Sequence, residues 1–255
     1  MSFQGDLAQV LSGVPILVPG CQFAVTQPRV IDVTAFGEDK FFDAIHLFVN
    51  LDELMKPIQD MNPRLQMLSG FHTLMAVLQG EPVMRQDLTD FFELILPNYQ
   101  VEFAAGSLNL RIEEEVGIKG QLNPMNFEYF QDTLKLLFLP KGVESDEPEY
   151  NPANDKAAEI AAKLKAGNEK RKQLKAKENP TMSVFGNYTS VLSIGLGLDI
   201  NVLYNYTVFQ LFDAFARYTA KLAYDFYQKI VTTPFMDASQ MPEPHNWIDD
   251  IYSEK

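Results

Sequence analysis

Tyr99-Gln100-Val101-Glu102-Phe103-Ala104-Ala105-Gly106-Ser107-Leu108-Asn109-Leu110-Arg111-Ile112 decides the fold class, because here the apolar period drops to two. Val101 and Phe103 alternate with polar neighbours, Ala105-Gly106-Ser107 makes a turn, and Leu108, Leu110 and Ile112 alternate again. Alternation on both sides of a glycine-containing turn reads as an antiparallel hairpin. Val116, Ile118 and Leu122 offer a third short strand. On either side of this stretch the apolar residues recur at steps of three and four, as amphipathic helices require. The expectation is a mainly α protein with a small antiparallel β-hairpin sheet at about 99–122, an α+β arrangement.

Working toward the N-terminus, Asp87 to Leu96 reads as a helix stopped by Pro97. Four Asn-Pro dipeptides, at Asn62, Asn123, Asn151 and Asn179, are candidate helix starts, since Asn can cap a helix whose first residue is Pro. After Asn62 the stripe Leu65, Leu68, Phe71, Met75, Leu78 predicts a helix closed by Gly80. After Asn123 the stripe Phe127, Phe130, Leu134, Leu137 predicts another. Phe41, Phe42, Ile45, Phe48 and Val49 mark a helix from about Glu38, and Val30, Ile31 and Phe36 a shorter one closed by Gly37. The chain up to about Val25 reads as extended or loop, with a short edge strand between Pro15 and Pro19. Residues 1–140 thus read as a helical domain carrying the hairpin.

Toward the C-terminus the texture changes. Residues 141–180 read as a charged linker, acidic and turn-rich at first, then a Lys-rich helix joining two apolar helical regions. Asp155 to Glu178 holds eight basic residues against four acidic ones, a local +4 in a chain whose remainder is −17. It carries no aromatic residue on which a base could stack, so a solvated linker is the favoured reading. Residues 181–255 read as a long amphipathic helix and a strap-like tail. Thr207 and Gln210 have the spacing of a capping box, in which each side chain bonds the other's backbone N–H. Val208, Leu211, Phe215, Leu222, Phe226 and Ile230 then share one face and read as core. The tail combines Pro234, Pro242 and Pro244 with Phe235, Met236, Trp247, Ile248, Ile251 and Tyr252.

Composition excludes several classes. The 255 residues are 46% hydrophobic and 22% charged, the proportions of a globular protein. A formal charge of −13 opposes general binding to nucleic acid or to an anionic membrane. Cys21 stands alone, which excludes an internal disulfide and a zinc site of several thiolates. The opening residues lack a basic n-region, and the apolar run Leu134 to Leu139 is far too short to span a bilayer. A soluble protein of a reducing cytoplasm is expected.

Residues that could carry chemistry are scattered. His46, His72 and His245 share no ligand spacing, and His46 and His72 read as core or boundary histidines. Cys21 has no basic neighbour to activate it. Gly195-Leu196-Gly197 is half a phosphate loop without its lysine, and Ser107 and Ser193 lack the glycines of a nucleophile elbow. Glu113-Glu114-Glu115 and Asp249-Asp250 read as surface charge rather than cation ligands. No catalytic residue, metal or cofactor is expected, and the chain does not read as an enzyme. What remains is a surplus of aromatic side chains with polar tips. Tyr204, Tyr206, Tyr218, Tyr224 and Tyr227 exceed what one helix face needs, and Phe235, Trp247, Ile248 and Tyr252 add tail anchors. These nine residues are the candidate partner-binding set.

Three stretches support a family likeness: Asn126-Phe127-Glu128-Tyr129-Phe130, the Lys/Ala-rich run from Ala157 to Lys177, and Tyr206-Thr207-Val208-Phe209-Gln210-Leu211-Phe212-Asp213. Followed by His245-Asn246-Trp247-Ile248-Asp249-Asp250-Ile251, their order resembles tail-assembly-chaperone-like proteins from the tail and baseplate modules of tailed bacteriophages of Gram-positive hosts. The likeness runs from Tyr99 to the end and, more faintly, over Pro28 to Asn50. It implies no catalytic residue. It implies a morphogenesis role, as a tail-assembly factor or as a tail, baseplate or connector component. The implied partners are other phage structural proteins or further copies of the chain, as a homo- or hetero-oligomer. The implied location is the host cytoplasm during assembly, with the virion as the second. The alternative reading is an acidic regulatory protein that binds a host factor.

Overall fold

The computed structural model of the chain describes residues 7–104, 106–112, 117–140, 183–233, 244 and 246–248. In chain order the elements are α1 (Leu7–Leu11), β1 (Ile16–Leu17), β2 (Ala24–Val25), α2 (Val30–Phe36), α3 (Glu38–Val49), α4 (Leu51–Met61), α5 (Gly70–Gly80) and α6 (Pro82–Ile95). They continue with β3 (Gln100–Ala104), β4 (Ser107–Arg111), β5 (Gly120–Leu122), α7 (Phe127–Phe138), α8 (Val184–Leu196), α9 (Ile200–Tyr204) and α10 (Val208–Thr232). The protein is mainly α with a small amount of antiparallel β. The described residues form two units: 7–140 with 199–214, and 183–198 with those from 215 onward.

The first unit is organised by phenylalanines. On α3 the spacing of Phe41, Ile45 and Phe48 sets three side chains on one buried face. Phe48 lies with ring centroids 6.0 Å from Phe91, 5.4 Å from Phe92 and 5.7 Å from Phe130. Phe41 lies 5.2 Å from Phe138 and 5.9 Å from Phe91. α3, α6 and α7 therefore share one aromatic core. Stacked, tilted and edge-to-face pairs of this kind contribute about 0.5–1.5 kcal/mol beyond the area they bury. Glu38 and Asp39 in the first turn of α3 suit the positive end of its dipole.

The sheet has the order β3-β4-β5, all antiparallel, with Val101 opposite Leu110 and Leu108 opposite Leu122. Its inner face is Leu108, Leu110 and Leu122, all buried. β3 packs on α5 and α6. β1 and β2 pair separately, Ile16 with Val25. The start of α10 is tied into this unit by polar groups. The Thr207 amide donates to Gln210 Oε1 at 2.9 Å and the Gln210 amide to Thr207 Oγ1 at 3.2 Å, so the capping box forms reciprocally. Gln27 bridges from behind, donating to the carbonyls of Val10 and Val14 and accepting from the Thr207 hydroxyl.

Several local readings need correction. The first 25 residues are not wholly extended, since Leu7–Leu11 is helical. α4 is a further helix, and it contains Pro57. Asn62 does not cap α5. The helix begins at Gly70 with Ser69 as cap, its hydroxyl accepting from the His72 amide, and Leu65 and Leu68 lie in the preceding turns. α6 starts at Pro82 rather than Asp87, because Pro fits a first helical turn. α7 is preceded by Asn126 rather than Asn123, whose side chain instead accepts from the Met125 amide in a local turn. The third strand is Gly120–Leu122, with Ile118 exposed before it. Val116, Glu113-Glu114-Glu115 and the whole of 141–180, including Asn151 and Asn179, lie outside the described residues.

Among its described residues, the second unit holds α8 and the part of α10 from Phe215 onward. Ser183 caps α8 by accepting from the Gly186 amide at 2.8 Å, and Gly197 ends it in the left-handed conformation, φ 65°. Phe185, Thr189 and Leu192 form the buried face of α8. Tyr188 stacks flat on Phe215 of α10, centroids 3.7 Å apart, and Tyr218 lies over Gly195. A Cβ on Gly195 would collide with that ring, so the glycine sets how closely the helices approach.

Candidate protein interface

Side chains with chemical potential are spent on structure. Among the described residues, no three His, Cys, Asp or Glu side chains gather as a metal site would need. His46 is exposed on α3 rather than a core or boundary histidine, while His72 is half-buried with Nδ1 2.9 Å from the Ser69 hydroxyl. His245 lies outside the described residues. Burial pushes the Cys21 thiol up to about 12, which keeps it protonated and unreactive at neutral pH. Ser193 donates to the Leu198 carbonyl at 2.7 Å, closing the turn after α8, and Ser107 donates to Asn109 Oδ1.

The described members of the nine sequence-selected residues fall in both units. Tyr204, on α9, and Tyr206 are half-buried in the first unit, where the Tyr206 carbonyl accepts from the Val30 amide at 2.9 Å. Tyr218, Tyr224 and Tyr227 are half-buried on α10. Trp247 is half-buried, and its carbonyl accepts from Arg217 Nη1 at 2.9 Å, which places this part of the tail beside the middle of α10. Ile248 is exposed. Phe235 and Tyr252 lie outside the described residues.

The face expected to be core behaves differently along its length. Val208 and Leu211 are fully buried, and Phe215 is half-buried on Tyr188. Leu222 is 48% exposed and Phe226 59%, with Ile230 half-buried, so beyond Tyr218 the amphipathic stripe is largely open to solvent. α8 meets α10 at Phe215 and Tyr218, and α10 continues fourteen residues past Tyr218, about 21 Å of helix. α8 adds a second unusual surface. Its thirteen residues carry no charge, and Val184, Val191, Ile194 and Leu196 are exposed, Ile194 by 84%. Sequence reasoning passed over these residues, although the charge-free run from Ser183 to Leu198 was a readable signal. Depletion of charge together with exposed large apolar groups is the composition of an interface centre rather than of a solvated helix.

Comparison with protein families, with curated proteins and with solved structures yields no match for this chain.

Proposed function

We propose that this chain is a non-enzymatic morphogenesis protein of a tailed bacteriophage, acting through protein–protein contacts as a tail-assembly factor or a tail, baseplate or connector component. The observation that carries the contact reading is the surface of the second unit, where α8 has no charged residue and α10 exposes Leu222 and Phe226. The phage assignment rests on the sequence likeness from Tyr99 onward. Host cytoplasm during assembly is the proposed location, with the finished particle as the second.

Deletion of the gene from a phage that encodes it tests the reading. Loss of normal particles by electron microscopy is expected, with rescue by the wild-type chain and not by a folded Ile194→Asp or Phe226→Asp variant. Morphologically normal particles in the deletion strain would overturn the reading. Altered timing of infection alongside normal particles would point instead to a regulator that binds a host factor. Mass spectrometry of purified virions then separates a component of the particle from a factor that leaves it.

A further inference from the structure

We infer that the first unit carries a peptide socket at the start of α10, and that the segment from Leu7 to Val14 is its resident plug, which detaches while the rest of the unit stays folded. The socket belongs to the first unit and so is a different site from the exposed apolar groups of the second. α1 is five residues long, too short to hold itself together in water. A helix end leaves carbonyls short of partners, and here two distant side chains supply donors. Gln27 Nε2 donates to the carbonyls of Val10 at 3.0 Å and Val14 at 3.1 Å, and Gln210 Nε2 donates to that of Leu11 at 2.7 Å.

Thr207 fixes which way both amides point. Its hydroxyl donates to Gln27 Oε1 at 3.3 Å and its backbone N–H to Gln210 Oε1 at 2.9 Å. With both amide oxygens turned to Thr207, both amide nitrogens are turned to the plug. The contacts with Thr207 do not involve the plug, so the donors stay aimed when it leaves. Val10 is fully buried, whereas Ala8, Gln9, Ser12 and Val14 are exposed. Recognition thus combines three main-chain carbonyls with one β-branched side chain. Gly13 completes it, since its φ is +75° and a Cβ there would come within 3.2 Å of Thr207 Cγ2. The ligand class is a short helical turn that buries a valine and closes in a glycine. A plug with one fully buried side chain is weakly held beside the aromatic cluster of α3, α6 and α7, where whole rings are covered. Such segments open locally, below the free energy of global unfolding.

Hydrogen exchange on the full chain reads detachment. The Ser12 and Gly13 amides donate to the carbonyls of Ala8 and Val10, and they should exchange at least about tenfold faster than the Ile45 and Phe48 amides of α3. Equal protection would overturn detachment. Val10→Asp in the full chain should eject the plug and leave the circular dichroism melt close to wild type. A Val10→Asp chain that does not fold would also overturn detachment, because Val10 would then be core. The socket is read by adding a fluorescently labelled peptide of residues 7–15 to that variant. Saturable binding is expected by about 1 mM peptide. It should be at least about tenfold tighter than to the wild-type chain, whose own plug competes. Gln210→Glu, added to Val10→Asp, keeps an acceptor for the Thr207 amide and removes the donor to Leu11. That change should weaken the peptide about tenfold and leave the melt unchanged. Equal binding to wild type and Val10→Asp, binding to neither, or insensitivity to Gln210→Glu would overturn the socket.

Discussion

The two units bury their apolar residues in opposite styles. Around Phe48 the first unit closes an aromatic cluster from three helices, and every ring in it is covered. In the second, a flat stack and a glycine-to-tyrosine contact join α8 to α10, and large apolar groups remain outside. α10 belongs to both styles, since its first seven residues lie in the first unit and the rest in the second. The difference teaches that one amphipathic pattern can serve as core at one end of a helix and as a free surface at the other.

The largest expected effect sharpens this contrast directly. Phe48→Ala removes the hub of the aromatic cluster and should cost about 3–5 kcal/mol in urea unfolding. Phe226→Ala, made on the exposed stripe, should change stability by less than about 0.5 kcal/mol. Comparable losses from both would break the contrast, because Phe226 would then be core.

Next in size is the contact that holds α8 to α10. Gly195→Ala places a methyl group against the Tyr218 ring and should destabilise by about 1–3 kcal/mol. Adding Tyr218→Ala should recover part of that loss. Additive losses instead would show that the two residues do not meet. A smaller effect is expected at the start of α10. Thr207→Ala removes the hydroxyl half of the capping box and should cost about 1 kcal/mol.

The smallest effect is a pH dependence. Burial raises the Tyr188 hydroxyl above its ordinary value near 10. A pKa raised in the folded state means that the contribution is fully present below the unfolded value. It is lost as pH climbs through the folded one. Spectrophotometric titration should therefore show a late-ionising tyrosine that disappears in Tyr188→Phe. An unchanged titration curve in that variant would deny the burial of Tyr188.

Local rules made much of the fold legible. The alternation at Val101 to Leu110 became β3 and β4 in the expected pairing, the period of Phe41 to Val49 became α3, and Thr207 with Gln210 became a reciprocal cap. These features depend on residues near one another in the chain. Helix starts at Asn62 and Asn123 were misread because Asn-Pro also makes isolated turns, as Asn62 and Asn123 do through their side-chain oxygens. The candidate surface was legible only in part. Periodicity shows that Leu222 and Phe226 share a side with Leu211, yet whether another element covers that side is a tertiary fact. The tyrosines were chosen for their chemistry, and three of them are half-buried on α10 while the neighbouring aliphatic and phenyl groups are the exposed ones.

Amide hydrogen exchange along α10 tests most directly whether one helix serves as core at one end and as a free surface at the other. In dilute solution the amides from Leu211 to Phe215 should exchange slowly, near the global unfolding limit, and those from Leu222 to Thr232 much faster. Uniform protection along the whole helix would contradict this division.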